Sequence, residues 1–228
     1  MNKILTIATF AALCAAQPAL AADKNGFYVG ADFANANYDV DQGALDFYAE
    51  GLYNLGGLDV VTADSELDDS DSSWSIFAGY RFMDYFAVEG GYMDLGTAGY
   101  KASGEVTDGE VVVDSSVAGD ISSSGFALSG LGILPIGESF EAFARLGFYF
   151  GDTDIDFNVT FPEVAGANET FSETEGETEF LWGIGGAYNF NDALAVRLEY
   201  SQVMDVGDEE LSGEYNVDRL SLGVTWTF

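Results

Sequence analysis

The chain has 228 residues, 39 of them acidic against seven Lys and Arg, for a formal charge of −32. Such a surface repels phosphate backbones, which excludes nucleic acid as a partner. The chain has no histidine, so it lacks the commonest general base near neutral pH and the commonest metal ligand, and no catalytic, cofactor or metal residue is assigned.

Met1-Asn2-Lys3 forms a short basic region, Ile4 to Ala16 an apolar run, and Ala19-Leu20-Ala21 a small-x-small cleavage pattern. Together they read as a cleaved signal peptide over 1–21, with one domain over 22–228. The apolar run is shorter than the ~20 residues a membrane-spanning helix needs. Cys14, the single cysteine, falls in that segment, so the mature chain is expected to carry neither a disulfide nor a cysteine-bound metal.

Beyond Ala22 no amphipathic helix pattern persists, and period-2 alternation takes over. Eight alternating segments are expected as strands: 26–36, 73–82, 85–95, 124–134, 140–150, 179–190, 194–203 and 218–228. Each has the ~9–11 residues that a tilted strand needs to cross a bilayer. Segment 124–134 is the least clear, because Gly and Leu occupy both faces.

The connections alternate in length. Met83-Asp84, PIGES (Pro135 to Ser139) and Asn191-Asp192-Ala193 are short hairpin turns, whereas 37–72, 96–123, 151–178 and 204–217 read as long loops. The long connections and their margins hold 31 of the 39 acidic residues. Short turns on one side and long loops on the other mark an outer-membrane barrel. A strand in lipid needs partners on both edges, so the sheet must close. The expected fold is all-β, an eight-stranded antiparallel transmembrane β-barrel. A soluble lipocalin-like barrel would turn its apolar alternation inward and needs no lipid-facing girdle such as Phe82, Phe86, Phe140, Phe190 and Phe228.

In this frame the apolar alternation faces lipid and the polar one the lumen. Asp32, Arg81, Glu89, Glu141, Arg145, Arg197 and Glu199 all fall on the polar alternation. On the lipid face an arginine near the midplane would cost ~2–4 kcal/mol. Eight strands leave a lumen just wide enough for side chains to fill. The charges are therefore expected to pair into a structural network that plugs it. Phe77 and Phe143 share that inward face and are read as lumen packing.

GFYVGADF, FAGYRFMDYFAVEGGYMDLG, GILPIGESFEAFARLGFYF, WGIGGAYNFNDALAVRLEY and the terminal LSLGVTWTF follow one another along the chain. In that order they resemble the small eight-stranded outer membrane β-barrels of the OmpA-like type, including stand-alone barrels of the porin family. The resemblance covers essentially all of the chain after the signal segment. It implies a bacterial outer membrane location, with membrane lipid and lipopolysaccharide as surroundings. It also implies that Trp226 and Phe228, on an alternating last strand, are an assembly signal read by the barrel assembly machinery. Larger members carry a peptidoglycan-binding domain after the barrel, and that tethering role is not carried over to a sequence ending at Phe228.

Three other patterns carry less. Asp152, Asp154, Asp156 and Glu163 match EF-hand offsets, but Phe157 stands where the sharp turn needs glycine. Alternating Asp on a strand emerging above the membrane explains the spacing more simply. Asn158 and Asn168 open glycosylation sequons that would be chance matches in a bacterial outer membrane. The acidic loops are expected to attract divalent cations loosely. The function expected is structural or surface-interactive: envelope integrity, adhesion or loop-mediated contact. The alternative is a narrow passive channel for small solutes or ions.

Overall fold

Period-2 alternation becomes antiparallel pairing along almost the whole chain. A computed structural model describes residues 25–162, 168–207 and 214–228. The signal-like segment 1–21 lies outside them, as do Glu163 of the EF-hand-like spacing and residues 208–213 of the 204–217 connection.

β1 (Gly26–Tyr38) pairs with β3 (Ser70–Met83) on one side and with β9 (Tyr215–Thr227) on the other. From β9 the ladder continues through β8 (Leu194–Val206), β7 (Glu169–Asn189), β6 (Phe140–Thr160), β5 (Val112–Ile136) and β4 (Phe86–Thr107), which returns to β3. Eight strands thus close a ring with no free edge at membrane depth, the one sheet arrangement lipid tolerates. Among the described residues no helix is long and apolar enough to cross a membrane.

The lipid-facing belt is sharply bounded. On β6 the outward positions run from Phe140 through Leu146 and Phe148 to Phe150, then change to Asp152, Asp154 and Asp156. On β5 they run from Ile136 through Leu134 and Leu128 to Phe126, then change to Ser124 and Ser122. Phe140 to Phe150 matches the ~9–11 residues of a tilted membrane strand. Aromatic rings mark both borders. Phe27 meets Tyr80, and Tyr188 meets Phe140 and Phe190, on the short-turn side. On the other side Trp74, Tyr92 and Phe126 form a row with centroids 5.7 and 5.5 Å apart. Trp182 Nε1 donates to Gln202 at 3.0 Å and the Tyr200 hydroxyl to Asp218 at 2.7 Å, so their polar ends are satisfied at the water boundary.

Three of the four long connections are not the loops the sequence suggested. Most of 96–123 and 151–178 is strand, continuing β4 to β7 well above the belt. Alternation persists there with apolar residues inside, such as Val117, Ile121, Ile155 and Phe157, while Asp and Ser face out. The 37–72 connection holds a helix, α1 (Gln42–Leu55), and an additional strand, β2 (Asp59–Asp68). Asp41 caps α1 by accepting from the Gly43 amide at 2.8 Å.

β2 pairs with β4 over residues 99–107, where β4 has left β3. A bulge between Asp94 and Thr97 makes that exchange. Gly96 sits at its apex with φ +88°, a left-handed value that favours glycine. Its amide is held by Asp94 Oδ1 at 3.0 Å and its carbonyl by the Tyr38 hydroxyl at 2.8 Å. Above the membrane the ring therefore opens into a curled sheet ordered β2-β4-β5-β6-β7, with α1 laid into it. Leu45, Ala49 and Tyr53 of α1 join Tyr38, Tyr100, Val106, Val117, Phe157 and Val159 in one buried apolar cluster. The Tyr100 hydroxyl donates to Asp46 of the helix at 2.6 Å.

Candidate functional site

The lumen is built in tiers. Nearest the short turns, Arg81 of β3 meets Glu141 of β6 at 3.0 Å and also donates to the Asp84 carbonyl at 2.6 Å. That arginine ties a turn to a strand across the lumen.

The middle tier joins four charges. Arg145 of β6 reaches Glu89 of β4 and Glu199 of β8, both at 2.5 Å. Arg197 of β8 reaches the same two carboxylates at 2.5 and 2.9 Å. Glu89 also accepts from the Tyr28 hydroxyl at 2.7 Å. β4 and β8 stand opposite each other in the ring, so the cluster crosses the whole lumen. All four side chains are buried. Two positive and two negative groups, the guanidiniums donating and the carboxylates accepting several hydrogen bonds each, offset the desolvation that a lone buried charge would suffer.

Phe77 and Phe143 have a definite place in this tier. The Arg197 guanidinium lies 5.0 Å from the Phe77 ring centroid and 4.5 Å from that of Phe143. The arginine is thus stacked between two aromatic faces while its edge is paired. Each ring lies over a glycine, Phe77 over Gly30 and Phe143 over Gly185, where a Cβ would collide with it.

A third tier lies nearer the extension. Arg219 of β9 donates to Asp32 of β1 at 3.0 Å, to the Ser73 hydroxyl at 2.7 Å and towards Met93 sulfur at 3.5 Å. Ser75 donates to the other oxygen of Asp32 at 2.5 Å. Arg219 is absent from the residues expected on sequence grounds. Its signal was present, since it shares the parity of Ser221 and Thr225. Above this tier the Tyr149 and Ser123 hydroxyls meet at 3.0 Å, and the apolar cluster under α1 begins.

Four arginines and four carboxylates therefore cancel inside, so the formal charge of −32 comes from the residues beyond this network. A cavity of about 70 Å³ opens on the short-turn side and ends at Arg81, Glu89 and Arg197. A second, of about 20 Å³, lies above it between Asp32, Glu89, Arg145 and Arg219.

Trp226 is paired with Val29 and Leu194, and Phe228 lies exposed beside the β1 end, its amide donating to the Phe27 carbonyl at 3.0 Å. Asp152, Asp154 and Asp156 occupy successive outward positions of β6. Asp154 accepts from Thr174 at 2.6 Å and Asp156 from Ser172. Among the described residues no group of three or more Asp, Glu, His or Cys is arranged to hold a metal ion.

A closed eight-stranded ring with an apolar belt and a charge-filled interior defines a transmembrane β-barrel of the bacterial outer membrane. The OmpA-like transmembrane domain family matches residues 22–228, and the chain belongs to that family. No curated protein matches the sequence. Similar solved structures include Ail, the attachment invasion locus protein of Yersinia pestis, at 16% identity, covering 90% of this chain and 99% of that one with a TM-score of 0.49. Neisserial surface protein A is 15% identical, covers 89% and 97%, and has a TM-score of 0.48. OprG of Pseudomonas aeruginosa is 14% identical, covers 92% and 99%, and has a TM-score of 0.45.

Proposed function

We propose that this barrel is a non-conducting, non-enzymatic surface protein whose extracellular extension makes contacts, with the membrane portion as its rigid stand. The observation that carries this reading is the filled lumen. The ion-paired tiers cross the barrel, and an apolar cluster capped by α1 lies above them. Water and ions crossing it would have to break buried pairs and then pass through hydrocarbon-like packing.

The test is single-channel recording of the folded protein in planar bilayers. No stepwise conductance is expected. Discrete, reproducible steps would overturn the reading in favour of a narrow channel for small solutes or ions.

The charge of the extension narrows the partners. Sucrose octasulfate, the heparin analogue bound in one Yersinia pestis Ail structure, has the wrong sign for a surface with a net charge of −32. Divalent cations are attracted diffusely, and they bridge the extension to the anionic lipopolysaccharide around it. Residues 1–21 are removed on export. Trp226 and Phe228 serve the assembly machinery, so a chain lacking Phe228 reaches the outer membrane in reduced amount.

A further inference from the structure

The extension contains a cavity that the barrel does not need. It has a volume of about 320 Å³ and lies between α1 and the upper halves of β6 and β7. Its walls include Tyr48 of α1, Phe157 of β6, and Phe171 and Glu173 of β7. Tyr48 and Phe157 have ring centroids 5.2 Å apart with planes at 45°, and Phe157 and Phe171 are cross-strand partners. Three rings thus converge from three elements on one space.

The cavity opens sideways because of the topology. Among the described residues, β7 pairs with β8 only from Leu181 onwards, so residues 169–180 form an edge. Phe171 sits on that edge and is 36% exposed despite its cross-strand pairing with Phe157, an unfavourable place for a large ring. Glu173 stands two residues further along the same face of the strand. Its charge is close enough to act with burial in holding the Tyr48 hydroxyl above the usual phenol range.

Aromatic faces present negative potential, and a carboxylate beside them adds a full charge. An anion is repelled here, and a neutral apolar ligand gains nothing from Glu173. A weakly hydrated organic cation gains from both, because its charge can lie over the rings without losing strong hydration. We propose that Tyr48, Phe157, Phe171 and Glu173 form a binding site for an alkylammonium cation of the trimethylammonium class, whether a free solute or a lipid headgroup. The proposal deepens the contact-surface reading and relies on it for the outward placement of the extension. Conductance tests that reading, and cation binding tests this one, so either can fail alone.

The experiment is calorimetric titration of the full folded chain in nanodiscs with choline chloride, and with 3,3-dimethylbutan-1-ol as its uncharged isostere. Choline is expected to bind and the isostere to bind at least about tenfold more weakly. Glu173→Gln and Phe171→Leu should each weaken choline by about fivefold or more, while Phe171→Tyr retains binding. Both positions lie on the exposed edge, and unchanged far-UV circular dichroism verifies the fold. Comparing choline with vesicles of phosphatidylcholine added to the same nanodiscs separates free solute from headgroup. Equal affinity for choline and the isostere, or no choline binding by the wild-type chain, would overturn the proposal.

Discussion

Each arginine inside the barrel is held by more than one group, and the consequences differ from those of an isolated pair. Removing Arg145 leaves Glu89 and Glu199 facing Arg197 alone, an excess of one buried negative charge. Stranding a buried charge typically costs ~3–5 kcal/mol. Arg145→Leu should therefore destabilise the barrel by about that amount. Arg145→Leu with Glu199→Leu restores the balance around Glu89 and Arg197 and should cost less than the single change. The measurement is a double-mutant cycle on urea unfolding in lipid vesicles. Additive losses would mean that the side chains are separately hydrated. Arg197 differs again, because it is also stacked between Phe77 and Phe143. A lysine there keeps the charge and loses the planar fork and its stacking.

Among the elements, α1 is the one whose place the alternating pattern cannot explain. It has good apolar spacing at Leu45, Ala49 and Tyr53, but only the curled sheet supplies a surface for it. Burial holds Tyr53 above the usual phenol range. The same cause, together with the hydrogen bond to Asp46, holds Tyr100 well above it. A raised folded value means that the neutral phenol is preferred in the docked state. The resulting stabilisation is complete below the ordinary tyrosine value of ~10 and is lost as pH rises beyond it. Protease cleavage within 42–55 should therefore increase above about pH 10, ahead of any loss of strand signal in circular dichroism. Tyr100→Phe should flatten that pH dependence, and an unchanged profile in this variant would remove Tyr100 as the cause. At neutral pH the exposed β4–β5 turn is the expected nicking site instead. Glu110 stands there beside Asp108, whose carboxylate accepts from the Glu110 and Val111 amides and is held below its usual range. Cleavage next to Asp84 or Asp192 on intact cells would mean an inverted orientation.

For the whole molecule, charge is sorted by location: the interior is neutral and the exterior almost uniformly negative. On the outer face of the extension Asp120 lies directly opposite Asp156 across the β5–β6 ladder. Like charges in that relation are destabilising, and salt or bridging divalent cations screen them. Chelation at low ionic strength should therefore raise cleavage at Glu110 while the membrane strands stay folded. Asp156→Asn should reduce the effect, and insensitivity to chelator at low salt would remove the hypothesis.

Local sequence determined the features that depend on one strand at a time. Alternation fixed which residues of 140–150 or 194–203 face lipid and which face inward, because successive side chains point to opposite faces of a strand. The hydrocarbon thickness set how many such residues were needed, and the turn residues placed the short connections. Ring closure decided what faces what across the lumen: that Glu89 meets Arg197 from the opposite strand, that Arg219 finds Asp32, and that Phe77 and Phe143 clamp one guanidinium. Those partners are set by strand stagger around the barrel, which no single strand encodes. The extension was hidden for a related reason. Outside lipid, polar and small residues alternate as readily as bulky apolar ones, so 96–123 and 151–178 resemble loops by composition. Only the ladders joining β4, β5, β6 and β7 make them sheet, and only that sheet gives α1 something to bury against.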